Sequence, residues 1–398
     1  MVVPDGSAPP SPGSGPTRRL GLAALVGLVG LVGGWILGSN TPAETAAGTT
    51  GTTLSESTIQ STVTTIAPAS ATSTPAVPTL VPPLRGQVDL FPNATALEGS
   101  VALATGGSGS LSGQNVWIVQ SGGRLVQRAD VPLQFGGAID QMLLVGDYLI
   151  YAGGNGTFTL GSDLADPAEP VVGGPTFLIP GSGPSSAWVV GGYDPDWFAP
   201  FDGVTGLVGE QTQMNGLGFP LAGFDDGLLI APNSPEINGR YVVWRPGGEP
   251  EPIDIELSPQ AGLYTVSGQM AVSVSPGPLI SVIDIDTNEI VAMMPFDSGE
   301  GLVSGVCLSP DLSYLAVVSS TGPVQVFRLA TEELVGTMTT SATNWGVGWT
   351  GPSQLAFVAE TSSGTRLHLF DPGTSFTVDV AQLAAPGEWR IATSGPVC

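Results

Sequence analysis

A short β-rich motif recurs along the C-terminal four-fifths of the chain, and its period limits the fold more than any other feature. The copies VWIVQS, TFTLGS, WFAPFD, YVVWRP, SVIDID, VQVFRL and LHLFDP begin at residues 116, 157, 197, 241, 281, 324 and 367. Their spacings are 41, 40, 44, 40, 43 and 43 residues. Most copies follow a second apolar run, such as YLIYAGG from 148, QMAVSVS from 269 or YLAVVSS from 314. Several precede a third, such as RLVQRADV from 124, EIVAMMP from 289 or ELVGTMT from 333. A fixed period of this length marks stacked supersecondary units that bury their apolar faces against one another.

An inner strand such as LVSGVCLS or NWGVGWT ahead of each pair completes a four-stranded antiparallel meander. That is the blade of a β-propeller. The chain is therefore expected to be all-β, with a seven-bladed β-propeller at 84–398. The ring has to close on itself, and the surplus strand EWRIATSG at 388–395 is expected to pair beside residues 99–106. A linear solenoid would need polar terminal caps, and the sequence offers none.

Three segments precede the repeat. Residues 1–19 are rich in Pro, Gly and Ser and end in Arg18 and Arg19, a composition that cannot build a core and reads as a disordered cytoplasmic tail. Residues 20–38 are uncharged, and at about 1.5 Å per residue they roughly match a ~30 Å hydrocarbon layer as one transmembrane helix. Arg18 and Arg19 place the tail inside and the rest extracytoplasmic, a single-pass membrane anchor with Trp35 in its last turn. Gly30, Gly34 and Gly38 share one helix face, where a second helix could approach to form a dimer. A cleaved export leader, with ETAAG at 44–48 as its processing site, is the other reading of this run. Residues 39–83 are a disordered Ser/Thr/Ala/Pro-rich stalk long enough to lift the head clear of a wall layer.

Charge narrows the partners. The chain carries 34 acidic and 10 basic residues and no lysine. Such a field repels phosphate backbones, so no nucleic acid is expected as a partner. Cys307 and Cys398 are the two cysteines and His368 the one histidine, so neither a Cys/His metal site nor a cofactor is expected. A disulfide between the two cysteines is permitted outside the cytoplasm. The other reading is a buried Cys307 and a free terminal thiol.

The stretch LSPDLSYLAVVSSTGPVQVFRLATEELVG at 308–336 resembles the blade pattern of WD-repeat and WD-like propellers. ISVIDIDTNEIVAMMP at 280–295 is similar to the YVTN-type surface propellers. The Gly-His and Trp-Asp dipeptides of WD repeats are missing, with VFRL and LFDP where Trp-Asp would stand. Together with the lysine-free, Ala/Gly/Pro/Arg-weighted composition, the resemblance implies a membrane-anchored bacterial propeller. Most functions of this fold are binding functions, and the fold by itself does not choose among them.

Catalytic signals are thin. His368 lies in a period-2 strand, and no Gly-x-Ser-x-Gly elbow occurs. Asp284, Asp286 and Asn288 imitate the start of a calcium loop, yet Glu289 replaces its glycine and Pro295 its final glutamate. The carboxylate pairs Asp194/Asp196 and Asp225/Asp226 suit a glycan-active enzyme if a funnel brings two of them across one bond. Aspartate is also a common turn residue.

Recognition is the better expectation. In WD-like propellers one face is built by the loops entering each inner strand and those joining the second and third strands. Here that face would gather Tyr193, Asp194, Asp196, Trp197, Asn233, Glu236, Asp297, Glu300, Asn344 and Trp345. Aromatic groups among adaptable polar neighbours suit a protein or cell-wall polymer partner. The sequence-level expectation is thus a non-catalytic binding or scaffold module, with a glycan-active enzyme as the alternative.

Overall fold

The computed structural model describes residues 88–398, apart from 107–113, 132–138, 140, 154–155, 166–168, 193–195, 215–217, 225, 233–239, 256, 258–260, 278, 298–301, 321–322, 340–345 and 385–387. The expected tail, membrane helix and stalk, with Arg18, Arg19, Gly30, Gly34, Trp35 and Gly38, lie outside the described residues. Among the described residues no helix is long and apolar enough to cross a membrane.

Seven antiparallel sheets of four or five strands make a seven-bladed β-propeller. Strands are lettered a to d from the channel outward. In blades 2 to 7 they follow chain order, as in blade 6: Val303–Leu308, Tyr314–Ser319, Val324–Arg328 and Glu333–Met338. Blade 1 is built differently. Its b, c and d strands are Val101–Gly106, Gln114–Gln120 and Arg124–Val131, and its a strand is the C-terminal Glu388–Thr393. Val101 faces Thr393 and Gly106 faces Glu388, so the ring closes by the pairing expected from the sequence. The N-terminal strand Val88–Leu90 fastens the same seam from outside. It adds a fifth strand to blade 7d (Phe376–Leu383), with Val88 opposite Leu383.

The apolar periodicity has a direct cause in the packing. Seven buried clusters fill the seven interfaces between consecutive blades, including the one between blades 7 and 1. In strand 6b, Leu315 and Val317 enter the cluster shared with blade 5, while Ala316 between them enters the cluster shared with blade 7. Both faces of the strand are therefore buried. A strand covered on both sides reads as an unbroken apolar run and not as an alternation.

The c–d turn carries a second repeat. Gly123, Leu164, Gly206, Gly247, Asn288, Glu332 and Ser375 all have positive φ, between 56° and 79°, and each lies in this turn of a successive blade. They recur every 41 to 44 residues. In three turns an aspartate four positions earlier accepts backbone N–H groups: Asp202 from Val204, Asp284 from Asp286 and Thr287, and Asp371 from Gly373 and Thr374. The calcium-like DIDTNE is therefore one of these turns, its Asp284 carboxylate already engaged by N–H donors. Among the described residues no group of three or more His, Cys, Asp or Glu could hold a metal ion.

These turns also protect strand edges. Glu332 of blade 6 accepts the N–H of Met293 on the outer strand of blade 5 (3.0 Å). Ser375 of blade 7 donates to the carbonyl of Val335 on blade 6d (3.0 Å). Blades 6 and 7 thus each cap a bare edge of the blade before them, which would otherwise invite another strand.

Beyond the closing strand the chain turns back into the ring. The N–H of Trp349 on blade 7a (Val347–Gly351) donates to Pro396, while Gly395 and Cys398 donate to the carbonyls of Trp349 and Val347, each at 2.9 Å. Cys398 is disulfide-bonded to Cys307 of blade 6a, with the Cα atoms 4.7 Å apart.

Candidate partner-binding face

Chain direction assigns each connection to one of two faces. The b–c and d–a connections emerge on one, the a–b and c–d turns on the other. Between the described strands, six of the connections with seven or more residues lie on the first face: 107–113, 132–140, 232–240, 254–261, 296–302 and 339–346. Two, 91–100 and 162–168, lie on the second; Leu97 of the former accepts the N–H of Gly122 in the c–d turn of blade 1 (3.1 Å). The second face is otherwise made of shorter turns fixed by backbone and side-chain hydrogen bonds. In the a–b turn of blade 6, Ser309 Oγ donates to Asp311 Oδ1 (2.7 Å) and accepts the N–H groups of Ser313 and Tyr314. Burial raises the pKa of Asp311, but hydrogen bonds from Ser309 and Ser313 outweigh it and hold the carboxyl below its usual range.

Of the ten residues expected on the long-loop face, Asp196, Trp197 and Asp297 are described. Tyr193, Asp194, Asn233, Glu236, Glu300, Asn344 and Trp345 lie outside the described residues. Asp196 and Asp297 are exposed, and both stand at strand ends on this face. Trp197 is half-buried and belongs with the cluster between blades 2 and 3. Its indole lies over Gly191, its register partner, where any Cβ would strike the ring. That contact makes it chiefly a packing residue.

Asp297 lines a groove of about 560 Å³ with Pro295, Phe296, Gln325, Phe327, Glu332 and Leu334. Its N–H donates to Gln325 Oε1 (3.3 Å). At the far end of the same connection Leu302 stands 68% exposed, an apolar side chain that sequence reasoning passed over. No periodicity marks a single loop leucine, so only structure could find it.

Of the two carboxylate pairs only Asp196 and Asp226 are described, and these two do not share a site. Asp226 lies in an a–b turn, on the face opposite Asp196, and forms an ion pair with Arg245, which also binds Glu251 (2.7 Å). Asp196 and Asp226 therefore do not flank one glycosidic bond, and Asp226 has ion-pair work of its own. His368 is buried, stacked on Phe357 with centroids 5.1 Å apart, and its Nδ1 lies 2.9 Å from Asp379 Oδ1. Burial lowers its pKa, with Asp379 pulling the other way. It lies on strand 7c, between Phe357 on 7b and Asp379 on 7d.

No family model matches the chain, and no curated protein matches it. Solved structures do resemble it. Citrobacter koseri AztD, in its apo form, is 11% identical at a TM-score of 0.42, covering 75% of this chain and 98% of its own. Kluyveromyces lactis Hsv2p is 16% identical at 0.42, covering 70% and 94%. The β-propeller domain of Cps50 (Swd1) from Myceliophteria thermophila is 12% identical at 0.45, covering 63% and 89%.

Proposed function

We propose that the chain is a membrane-anchored, extracytoplasmic propeller that binds a protein or cell-wall partner through its long-loop face, without catalysis. The asymmetry of the two faces carries this reading: six long connections join strand ends on one side of the ring and two join them on the other. Loops held by a rigid scaffold are where binding residues concentrate. Those six connections contain six carboxylates, Asp140, Glu236, Asp254, Glu256, Asp297 and Glu300, against one arginine, Arg240. Arg240 is itself 3.6 Å from Asp254. The face therefore suits a partner that offers cationic or hydroxyl groups, with Leu302 as an apolar anchor.

The test is crosslinking of the intact protein in its native cell, comparing wild type with an Asp297→Arg, Leu302→Asp variant. A partner captured by wild type and lost from the variant supports the reading. Equal capture by both overturns it. Hydrolysis of purified cell wall by wild type that disappears in Asp196→Asn would overturn the non-catalytic part.

A further inference from the structure

We propose that Gly395–Cys398 is a redox-locked strap laid across the central channel, and that reducing its disulfide frees the strap without opening the ring. Three observations place the strap inside the channel. Its hydrogen bonds run to blade 7a, the innermost strand of that blade, and Val397 forms a bridge with Gly348 there. The side chain of Val397 reaches the cluster of Leu143, Val145 and Leu178, which belongs to blades 2 and 3 across the ring. Cys398 is bonded to Cys307 on the inner strand of blade 6. Four residues thus touch blades 2, 3, 6 and 7.

The channel wall is shaped for this occupant. A Cβ at Gly305 on blade 6a would stand 2.7 Å from the backbone carbonyl carbon of Cys398, so only glycine leaves room for the strap. The lock is also separate from ring closure. Closure rests on six register pairs between Glu388–Thr393 and Val101–Gly106, whereas the disulfide joins the strap to blade 6. Cutting it removes no closing pair. With the bond cut, three backbone hydrogen bonds, the Thr393 hydroxyl donating to the Gly395 carbonyl (3.1 Å) and the Val397 contact hold the strap against its conformational entropy.

The release is a thiol–disulfide exchange with a dithiol. One thiolate of the dithiol attacks the Cys398 sulfur, and the S–S bond breaks with its electron pair leaving on the Cys307 sulfur as thiolate. The second dithiol sulfur then attacks the mixed disulfide and expels the Cys398 thiolate. Two electrons pass from the dithiol, which departs as its own disulfide, and the two cysteine thiolates take up protons. Re-oxidation reverses each step. None of this depends on which partner the long-loop face binds.

Hydrogen exchange on the full-length protein, oxidised and after treatment with dithiothreitol under native conditions, tests the proposal. The amides of Gly395, Trp349 and Cys398 should exchange at least tenfold faster after reduction, while those of Val101–Gly106 keep their protection. Cys398 should then react with a maleimide well before Cys307, which is 2% exposed. A Cys398→Ser variant should behave as the reduced protein, as should a Gly305→Ala variant at Trp349. If the strap amides stay protected after reduction, the disulfide is no lock. Loss of protection at Val101–Gly106 together with the strap would make it a ring fastener, and either result overturns the proposal.

Discussion

At position 309 a single buried hydroxyl serves three partners, one as donor and two as acceptor. Ser309→Ala leaves the Tyr314 N–H without its acceptor and takes one donor from Asp311, while the Ser313 N–H keeps Asp311 Oδ1, and it should cost about 1–2 kcal/mol in a denaturant melt. Glycines in the c–d turns separate two effects. Gly247 has φ 75°, and a Cβ there would meet nothing within 4 Å, so Gly247→Ala bears only the strain of the left-handed backbone, about 1 kcal/mol. At Gly206, φ 72°, the new methyl would also stand 2.5 Å from the Tyr148 ring, and Gly206→Ala should cost roughly 2–3 kcal/mol. Thermal melts of the pair check the ordering. Sequence reading could not find this seven-fold register, because four residue types besides glycine occupy it: Leu164, Asn288, Glu332 and Ser375.

Strands were legible in proportion to how much of them is buried. The b and c strands are covered on both faces, and their apolar runs revealed the period directly. The outer strands of blades 1, 5 and 6 are six to eight residues long and could be read, whereas others are short or interrupted. Blade 3d is split into Leu207–Val208 and Thr212–Gln213, and blade 4d is Glu251–Ile253, too brief for any alternation to emerge. The three-residue outermost strand Val88–Leu90 was invisible for the same reason. Within blade 7, His368 gives the element a pH response. Its folded pKa is lowered, chiefly by burial, so below about pH 6.5 the unfolded chain takes up a proton that the folded protein resists. Its contribution to stability should be full above that pH and decline as the pH falls below it. The midpoint of thermal unfolding at pH 7.5 and 5.5 measures this, and His368→Gln should shrink the difference.

The described propeller is a ring whose first and last strands meet at one seam. The Cys307–Cys398 bond, with a sequence separation of 91 residues, constrains the unfolded chain, and the chain-entropy account gives about 4–5 kcal/mol for such a loop. Reduction should therefore lower the melting midpoint by on the order of 5–10 °C. Equal midpoints for oxidised and reduced protein would remove that account. The candidate face was legible only in outline, since a loop's place in the ring follows from chain order but its side-chain contacts do not. Trp197 illustrates the limit: its packing was decided by a glycine on the neighbouring strand. The fifth strand on blade 7 has a mechanical consequence. If the head is tethered through its N-terminal side, tension enters at Val88–Leu90, which is held to blade 7d by three register pairs. The closing pairs of blade 1 lie further along the chain and on the inner side of the ring. Under load the outermost strand peels first, as a short fuse, and the propeller behind it stays shut.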